Sequence, residues 1–332
     1  MIINTTCEAL QQLLKLTKSD VSVVAKDKIY LIAETEPKEL SGNRVMIIAD
    51  GEIVKPGQTI ISRSVLNNMS KNGPITIDKN TIKCGTRIIK FKENFETLVP
   101  MDIGEKFLRI PNNEFEKALD IEYAVAQDET RPILKSVFID QDNFVSLDGF
   151  RLAMRKHDIK TELNDFNIII PSELINIYKK IKSKEDLNFY IKDNFITLEI
   201  EDIQISIRQI EGSYIRYNSL LPNEHKLEVI TDSKELLELL KSYKDIKLVT
   251  FDIKDDHIAI RAKNEEMEIE DKISADVKGE GFEISFNIKY LIDSLKHYED
   301  DVIFELNNAI SPMVVTNDEE KIDLVLPVKK LS

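Results

Sequence analysis

Three acidic residues and one arginine are the residues best suited by type to chemistry: Asp128 beside Glu129, and Asp148 three positions before Arg151. Paired carboxylates can divide acid and base work, and a carboxylate near a guanidinium can serve phosphoryl transfer. Neither grouping has the company that such reactions need. The chain has no GxxxxGK[ST], no GxGxxG after a strand, no GxSxG, no HExxH and no CxxC, so it lacks a phosphate cradle, a nucleophile elbow and short-spaced metal ligands. The four histidines, His157, His225, His257 and His297, stand singly, and Cys7 and Cys84 read as two buried thiols. No catalytic residue, metal or cofactor is assigned.

What remains is a stretch with carefully placed Gly and Arg but no nucleophile. It runs from Asp128 to Lys156, through DETRPIL at Asp128 to Leu134 and VSLDGFRLA at Val145 to Ala153. That combination points to a docking surface. Taken alone, Leu134, Leu152 and Leu326 are better read as core, and Asp148 with Gly149 as a plain hairpin turn.

At 332 residues the chain is long enough for two or three domains, and 42 % hydrophobic content with ten Gly and ten Pro describes a globular protein, not a disordered one. No window approaches the roughly 18 apolar residues of a membrane span, and Met1 to Asn4 do not begin a signal peptide. A cytoplasmic location is expected.

Hydrophobic periodicity predicts six helices that recur about every 50 to 60 residues. They span about Thr5 to Lys18, Ser62 to Asn72, Asn113 to Ala126, Ser172 onward past Ile181, Asp232 past Tyr243, and Asn287 to His297. Thr5 with Glu8 reads as a capping box, and Asp232 with Glu235 as another. Between them lie strand-like runs such as Lys28 to Ile32, Phe195 to Ile200 and Leu248 to Ile253. One helix followed by several antiparallel strands, six times over, makes an α+β chain. Pairing successive units gives three similar domains, 1–103, 104–222 and 223–332, each with two helices packed on antiparallel sheets.

The helical windows together are close to neutral, so the formal net charge of −14 lies elsewhere. Lys179, Lys180, Lys182 and Lys184 are explained well enough as a solvated helix face. The second reading is a helical layer whose lysines face a polyanion, while an acidic exterior repels it.

The segment DETRPIL, a strand, a turn and SLDGFRLAMRK together resemble the middle domain of the bacterial DNA polymerase III β sliding-clamp family. Ile210 to Pro222, through EGSYI and SLLP, is similar to that family's linker, Phe286 to Leu291 to the start of its last helix, and Leu324 to Val328 to its tail. The likeness runs from about Ile110 to the end and is weaker over a first domain that is divergent and short. It implies a DNA polymerase processivity factor: a head-to-tail homodimer ring with helices lining its pore, which encircles duplex DNA and tethers the polymerase catalytic subunit and other replication or repair proteins carrying a clamp-binding motif. A clamp loader would open it. Helices about 8 to 10 Å apart make a ring of six only about 19 Å across, while twelve leave a hole of about 28 Å after their thickness is removed, so two chains are needed to pass a duplex. The alternative is a clamp-like scaffold that binds partner peptides without encircling DNA.

Carried over on these motifs, the partner-peptide pocket comprises Leu134, Leu147, Gly149, Phe150, Arg151, Leu152, Ile215, Leu220, Asn287, Tyr290, Ile310, Pro312, Leu326, Pro327 and Val328. In this reading Gly149 lets a peptide backbone approach, while Arg151 and Asn287 pair with peptide carbonyls. Phe150 stands where the family often has a smaller or polar residue, Ile215 replaces a frequent Pro and Ser219 a frequent Arg, so the pocket is expected to be more apolar and less basic. The DNA-facing candidates are Lys15, Lys18, Arg63, Lys71, Lys117, Lys179, Lys180, Lys182, Lys234, Lys241, Lys289 and Lys296. Phe91, Phe95, Leu240 and Tyr243 are the dimer-interface candidates.

Overall fold

A computed structural model describes residues 1–35, 42–92, 97–163, 165–317 and 320–329. Among these, six α-helices appear: α1 (Cys7–Leu16), α2 (Arg63–Leu66), α3 (Asn112–Asp120), α4 (Ser172–Tyr178), α5 (Ser233–Ser242) and α6 (Ile288–Leu295). Each is entered from a strand with at most one residue between, and each is followed by three strands that form an antiparallel meander. The same strand, helix and three-strand unit therefore occurs six times, as the helix spacing predicts.

That direct entry corrects one expected cap. The strand Ile2–Thr6 runs straight into α1, so the hydroxyl of Thr5 turns to the carbonyl of Asp50 (2.6 Å), and Glu8 accepts instead from the Gly73 amide (3.0 Å). Of the second box, the cap itself forms: Asp232 accepts from the Glu235 amide at 2.7 Å. Helix α2 is much shorter than expected. Asn67, Asn68, Ser70 and Asn72 compete for backbone hydrogen bonds, so the chain leaves the helix after Leu66. Helix α3 likewise stops at Asp120 and passes into a 3₁₀ turn at Glu122–Ala124.

The chain forms two compact units, Met1–Phe115 with Ile170–Ile210, and Glu116–Ile169 with Glu211–Ser332. The first holds a five-stranded sheet ordered Glu52–Lys55, Ile2–Thr6, Pro74–Asp78, Thr81–Cys84 and Arg87–Lys90. Its second, eight-stranded sheet runs Lys106–Ile110, Leu187–Lys192, Phe195–Ile200, Ile203–Arg208, Arg44–Ala49, Ile29–Glu34, Val21–Ala25 and Gly57–Ile61. Leu10, Leu13 and Leu14 of α1 are buried, as expected. Cys7 and Cys84 are buried free thiols, and burial pushes Cys7 up to about 11.

The second unit has a nine-stranded sheet: Ile168–Pro171, Ser136–Ile139, Asn143–Leu147, Arg151–Lys156, Lys321–Val325, Met313–Thr316, Asp301–Leu306, Leu227–Asp232 and Asp276–Lys278. Its four-stranded sheet is ordered Glu268–Ser274, His257–Lys263, Leu248–Ile253 and Glu283–Asn287. Helices α5 and α6 pack together, and Leu236, Leu240, Leu291 and Leu295 share one core with Phe251, Phe286 and Phe304.

Candidate functional site

The turn from Asp148 to Arg151 joins two strands of the nine-stranded sheet whose register pairs Leu147 with Leu152. Asp148 shapes it: Oδ1 accepts from the amides of Phe150 (2.9 Å) and Arg151 (3.1 Å). Gly149 sits at φ +90°, which other residues rarely adopt, and a Cβ there would lie 2.5 Å from Nη1 of Arg131. The group that comes close is thus the Arg131 guanidinium, whose Nη2 donates to the Asp148 carbonyl at 2.9 Å. This corrects the expectation that Gly149 is there to admit a peptide backbone. It also adds Arg131 to the turn; an arginine is visible in the sequence there, but nothing in its spacing shows that it folds back onto residues 148–151.

Arg151 is buried and internally committed. Its Nε donates to Asp148 Oδ2 (3.0 Å), Nη1 to Asp293 Oδ2 (2.8 Å) and Nη2 to the Tyr123 carbonyl (2.5 Å). Burial works against the charge of Asp293, yet hydrogen bonds from Arg151 and Lys296 hold its carboxyl below the usual range. The guanidinium expected to meet peptide carbonyls instead ties the turn to α6. Asn287 is similarly occupied on one side, since its Oδ1 caps α6 by accepting from the Lys289 amide (2.9 Å).

The apolar candidates divide into a floor and a rim. Leu134, Leu147 and Leu152 are buried in one cluster with Tyr214, Tyr217 and Leu324, and Leu326 packs against it half-buried. Rim residues are exposed: Phe150 by 55 %, Ile215 by 37 %, Leu220 by 42 % and Ile310 by 67 %. These are four of the nine exposed large hydrophobics among the described residues. The linker is held where Tyr214 stacks on Phe138 (4.7 Å between centroids) and Tyr217 meets it edge-on (6.3 Å). Asn308 shapes the Ile310 turn by accepting from the Ile310 and Ser311 amides (both 3.0 Å).

The tail completes the surface. Leu326 donates to the Phe150 carbonyl (2.9 Å) and Val328 to the Ser285 carbonyl (2.7 Å), so Pro327 is pinned between two backbone bonds, and Pro312 is half-buried like it. Tyr290 lies against Phe150, with ring centroids 6.2 Å apart and planes at 22°.

Of the basic candidates, Lys15, Lys18, Lys71, Lys179, Lys180, Lys182, Lys234, Lys241, Lys289 and Lys296 are exposed. Several lie past a helix end and not on it, as Lys18, Lys71, Lys179, Lys180, Lys182 and Lys296 do. Lys117 is half-buried. Arg63 is a helix cap: it donates to the carbonyls of Leu14 (2.9 Å) and Thr17 (2.6 Å) at the end of α1.

The interface candidates fare worst. Leu240 and Tyr243 lie in the core, with the Tyr243 hydroxyl bonded to Asp271 (2.9 Å), so neither can face another chain. Their spacing shows an apolar helix face, and that face is used inside. Phe91 is half-buried at a strand end, and Phe95 lies outside the described residues. Among the described residues no group of His, Cys, Asp and Glu is arranged to hold a metal, and no helix is long and apolar enough to cross a membrane.

Comparison with known proteins matches residues 109–216 to the central domain of the DNA polymerase III beta subunit and residues 218–328 to its C-terminal domain. The chain is 25 % identical to a beta sliding clamp of Staphylococcus epidermidis, over 94 % of this chain and 89 % of that one. With a beta sliding clamp of Staphylococcus aureus it shares 24 % identity over 93 % and 89 %. Its fold superposes on a putative DNA polymerase III beta subunit from Eubacterium rectale with a TM-score of 0.88 at 20 % identity, covering 100 % of both chains. A DNA polymerase sliding clamp from Bacillus subtilis gives 0.83 at 21 % identity, over 99 % of this chain and 100 % of the other.

Proposed function

Since the chain belongs to the DNA polymerase III beta subunit family, the sliding clamps, we propose that it works as a non-catalytic processivity factor that closes around duplex DNA as a homodimer and holds the polymerase through the surface around Phe150. The observation that carries the peptide part is that Phe150, stacked on Tyr290, and the linker residues Ile215 and Leu220 stay exposed as a rim, while Leu134, Leu147 and Leu152 are buried with the linker's Tyr214 and Tyr217. A short, partly apolar segment of a replication or repair protein would bury that rim. Because Arg131 and Arg151 already serve the turn, the affinity comes chiefly from apolar contact.

The six repeats, taken in pairs, support three domains bounded near 103 and 222, and the matched segments 109–216 and 218–328 fall within the last two. The compact units divide the chain otherwise because sheets are joined edge to edge. The last strand of the first repeat, Arg44–Ala49, pairs with the last strand of the fourth, Ile203–Arg208. The last strand of the third, Arg151–Lys156, pairs with that of the sixth, Lys321–Val325. Each repeat thus joins the one three places on. Two last strands are left at sheet edges: Arg87–Lys90 of the second repeat and Glu268–Ser274 of the fifth.

The same rule joins the fifth repeat of one chain to the second of another, which closes by two-fold symmetry into a head-to-tail pair. The chemistry suits it. Arg87 and Lys90 on one edge can meet Glu268, Glu270 and Asp271 on the other, and Ile88, 61 % exposed, gains cover. These edges replace Leu240 and Tyr243 as the dimer contact. In the closed pair the exposed lysines near the helix ends supply weak phosphate contacts that permit sliding. A separate loader, driven by nucleotide hydrolysis, opens the ring.

Light scattering tests the pair, and titration of a fluorescent peptide copied from the polymerase tail tests the surface. A dimer mass with saturable peptide binding is expected. A concentration-independent monomer would remove the ring, and a dimer without peptide binding would remove the Phe150 surface.

A further inference from the structure

Phe150 is a large aromatic held more than half exposed, and something must keep it there. Its ring stacks on Tyr290, and the guanidinium of Arg151 lies 4.6 Å from the Tyr290 centroid and 5.3 Å from that of Tyr123. Tyr123 in turn stacks on His297, with centroids 4.8 Å apart and planes at 15°. Five groups therefore touch in series, from the end of α6 to the rim of the surface.

The far end is anchored by buried charge. His297 Nδ1 meets Asp120 Oδ1 at 2.5 Å, and Asp120 Oδ2 accepts from Arg155 Nε at 2.5 Å. Arg155 Nη1 pairs with Asp323 at 2.7 Å, and Asp323 accepts from the Ser294 hydroxyl at 2.5 Å. Ser294 lies in α6 with Tyr290, and His297 follows just past the helix's last residue, Leu295, so the anchor and the rim are joined through α6. The Tyr123 hydroxyl is buried beside Asp323 and Arg155, while its ring face carries the stack on His297 and Arg151.

We propose that His297, Tyr123 and Arg151 form a stacked column that positions Phe150 and Tyr290, making Tyr123 and His297 positioning residues for a peptide surface they do not themselves line. The column rests on the peptide reading above only for its purpose. Its geometry can be tested without any peptide, because the chain has no tryptophan and Phe150→Trp supplies a single reporter.

In the full-length Phe150→Trp protein, Tyr123→Leu lowers the tryptophan anisotropy and raises acrylamide quenching about twofold, since the stack beneath residue 150 is broken. In the otherwise native chain, Tyr123→Leu weakens the polymerase-tail peptide about tenfold, through faster release. Tyr123→Phe keeps the ring and leaves both readouts at parental values. His297→Ala, at the half-buried base, moves both in the same direction by less, and serves if Tyr123→Leu does not fold. Folded variants with parental anisotropy and quenching would overturn the column, as would Tyr123→Phe behaving like Tyr123→Leu. A responsive tryptophan in a protein that does not bind the peptide would uphold the column and overturn the peptide reading.

Discussion

The turn at Gly149 and the lysines near the helix ends are built in opposite ways. At the turn, the arginines have carboxylates or carbonyls as fixed internal partners, and apolar side chains are left facing out. Among the lysines, the charges themselves face out: Lys15, Lys182, Lys234, Lys241 and Lys289 are exposed, and Lys296 shares Asp293 with Arg151. A fixed apolar surface selects a partner. Exposed cations attract any phosphate backbone and hold none in register, which is what sliding needs. On the proposed function, the chain would separate specific from non-specific binding by how tightly it holds its charges.

The largest expected effect comes from breaking the fixed side at its anchor. Arg155→Ala leaves Asp323 buried with its charge uncompensated and should cost about 3–5 kcal/mol, read as a lower midpoint in denaturant. An unchanged midpoint would mean that the ion pairs do not hold the second unit together. Next comes the rim: Phe150→Ala, or removal of residues 326–332, should weaken the polymerase-tail peptide at least about tenfold while light scattering still gives a dimer. Leu152→Ala, by contrast, cuts into the floor and should lower stability together with peptide binding, by about 2–5 kcal/mol, because Leu152 is buried.

On the loosely held side, Lys179→Glu with Lys182→Glu should shorten retention on circular DNA, most clearly at low salt, and leave peptide affinity alone. Equal retention would take that segment out of the DNA-facing set. The smallest effect belongs to surface pairs such as Arg109 with Asp186, where Arg109→Ala should change stability by less than about 1 kcal/mol.

Acid separates the two sides as well. Burial would raise the carboxyl of Asp120, but His297 and Arg155 hold it down at about 2. A lowered carboxyl stabilises the fold above its unfolded-state range, near pH 4, and that contribution is lost as pH falls toward 2. The melting temperature should therefore drop with acid over that interval, and Asp120→Asn should flatten the drop.

Much of this architecture is legible in the sequence, because helix periodicity and strand alternation are local. The strands Ser136–Ile139, Phe195–Ile200 and Leu248–Ile253, and the caps at Asp232 and Asn287, are written in neighbouring residues. Helix lengths are less so: α2 ends early because its asparagines favour turns. The roles of Gly149 and Arg151 depend on partners at Arg131 and Asp293, and the place of Leu240 and Tyr243 on a core closed by distant strands. No spacing along the chain shows these. The edge strands proposed in place of Leu240 and Tyr243 emerge only when the pairing of all six repeats is in view.

Loader-dependent retention on nicked circular DNA, followed by linearisation of the same complexes, tests the clamp account most directly. The account predicts that the protein stays on the circle and leaves once a free end is cut. Retention that survives linearisation, or that never depends on a loader, would contradict topological encirclement.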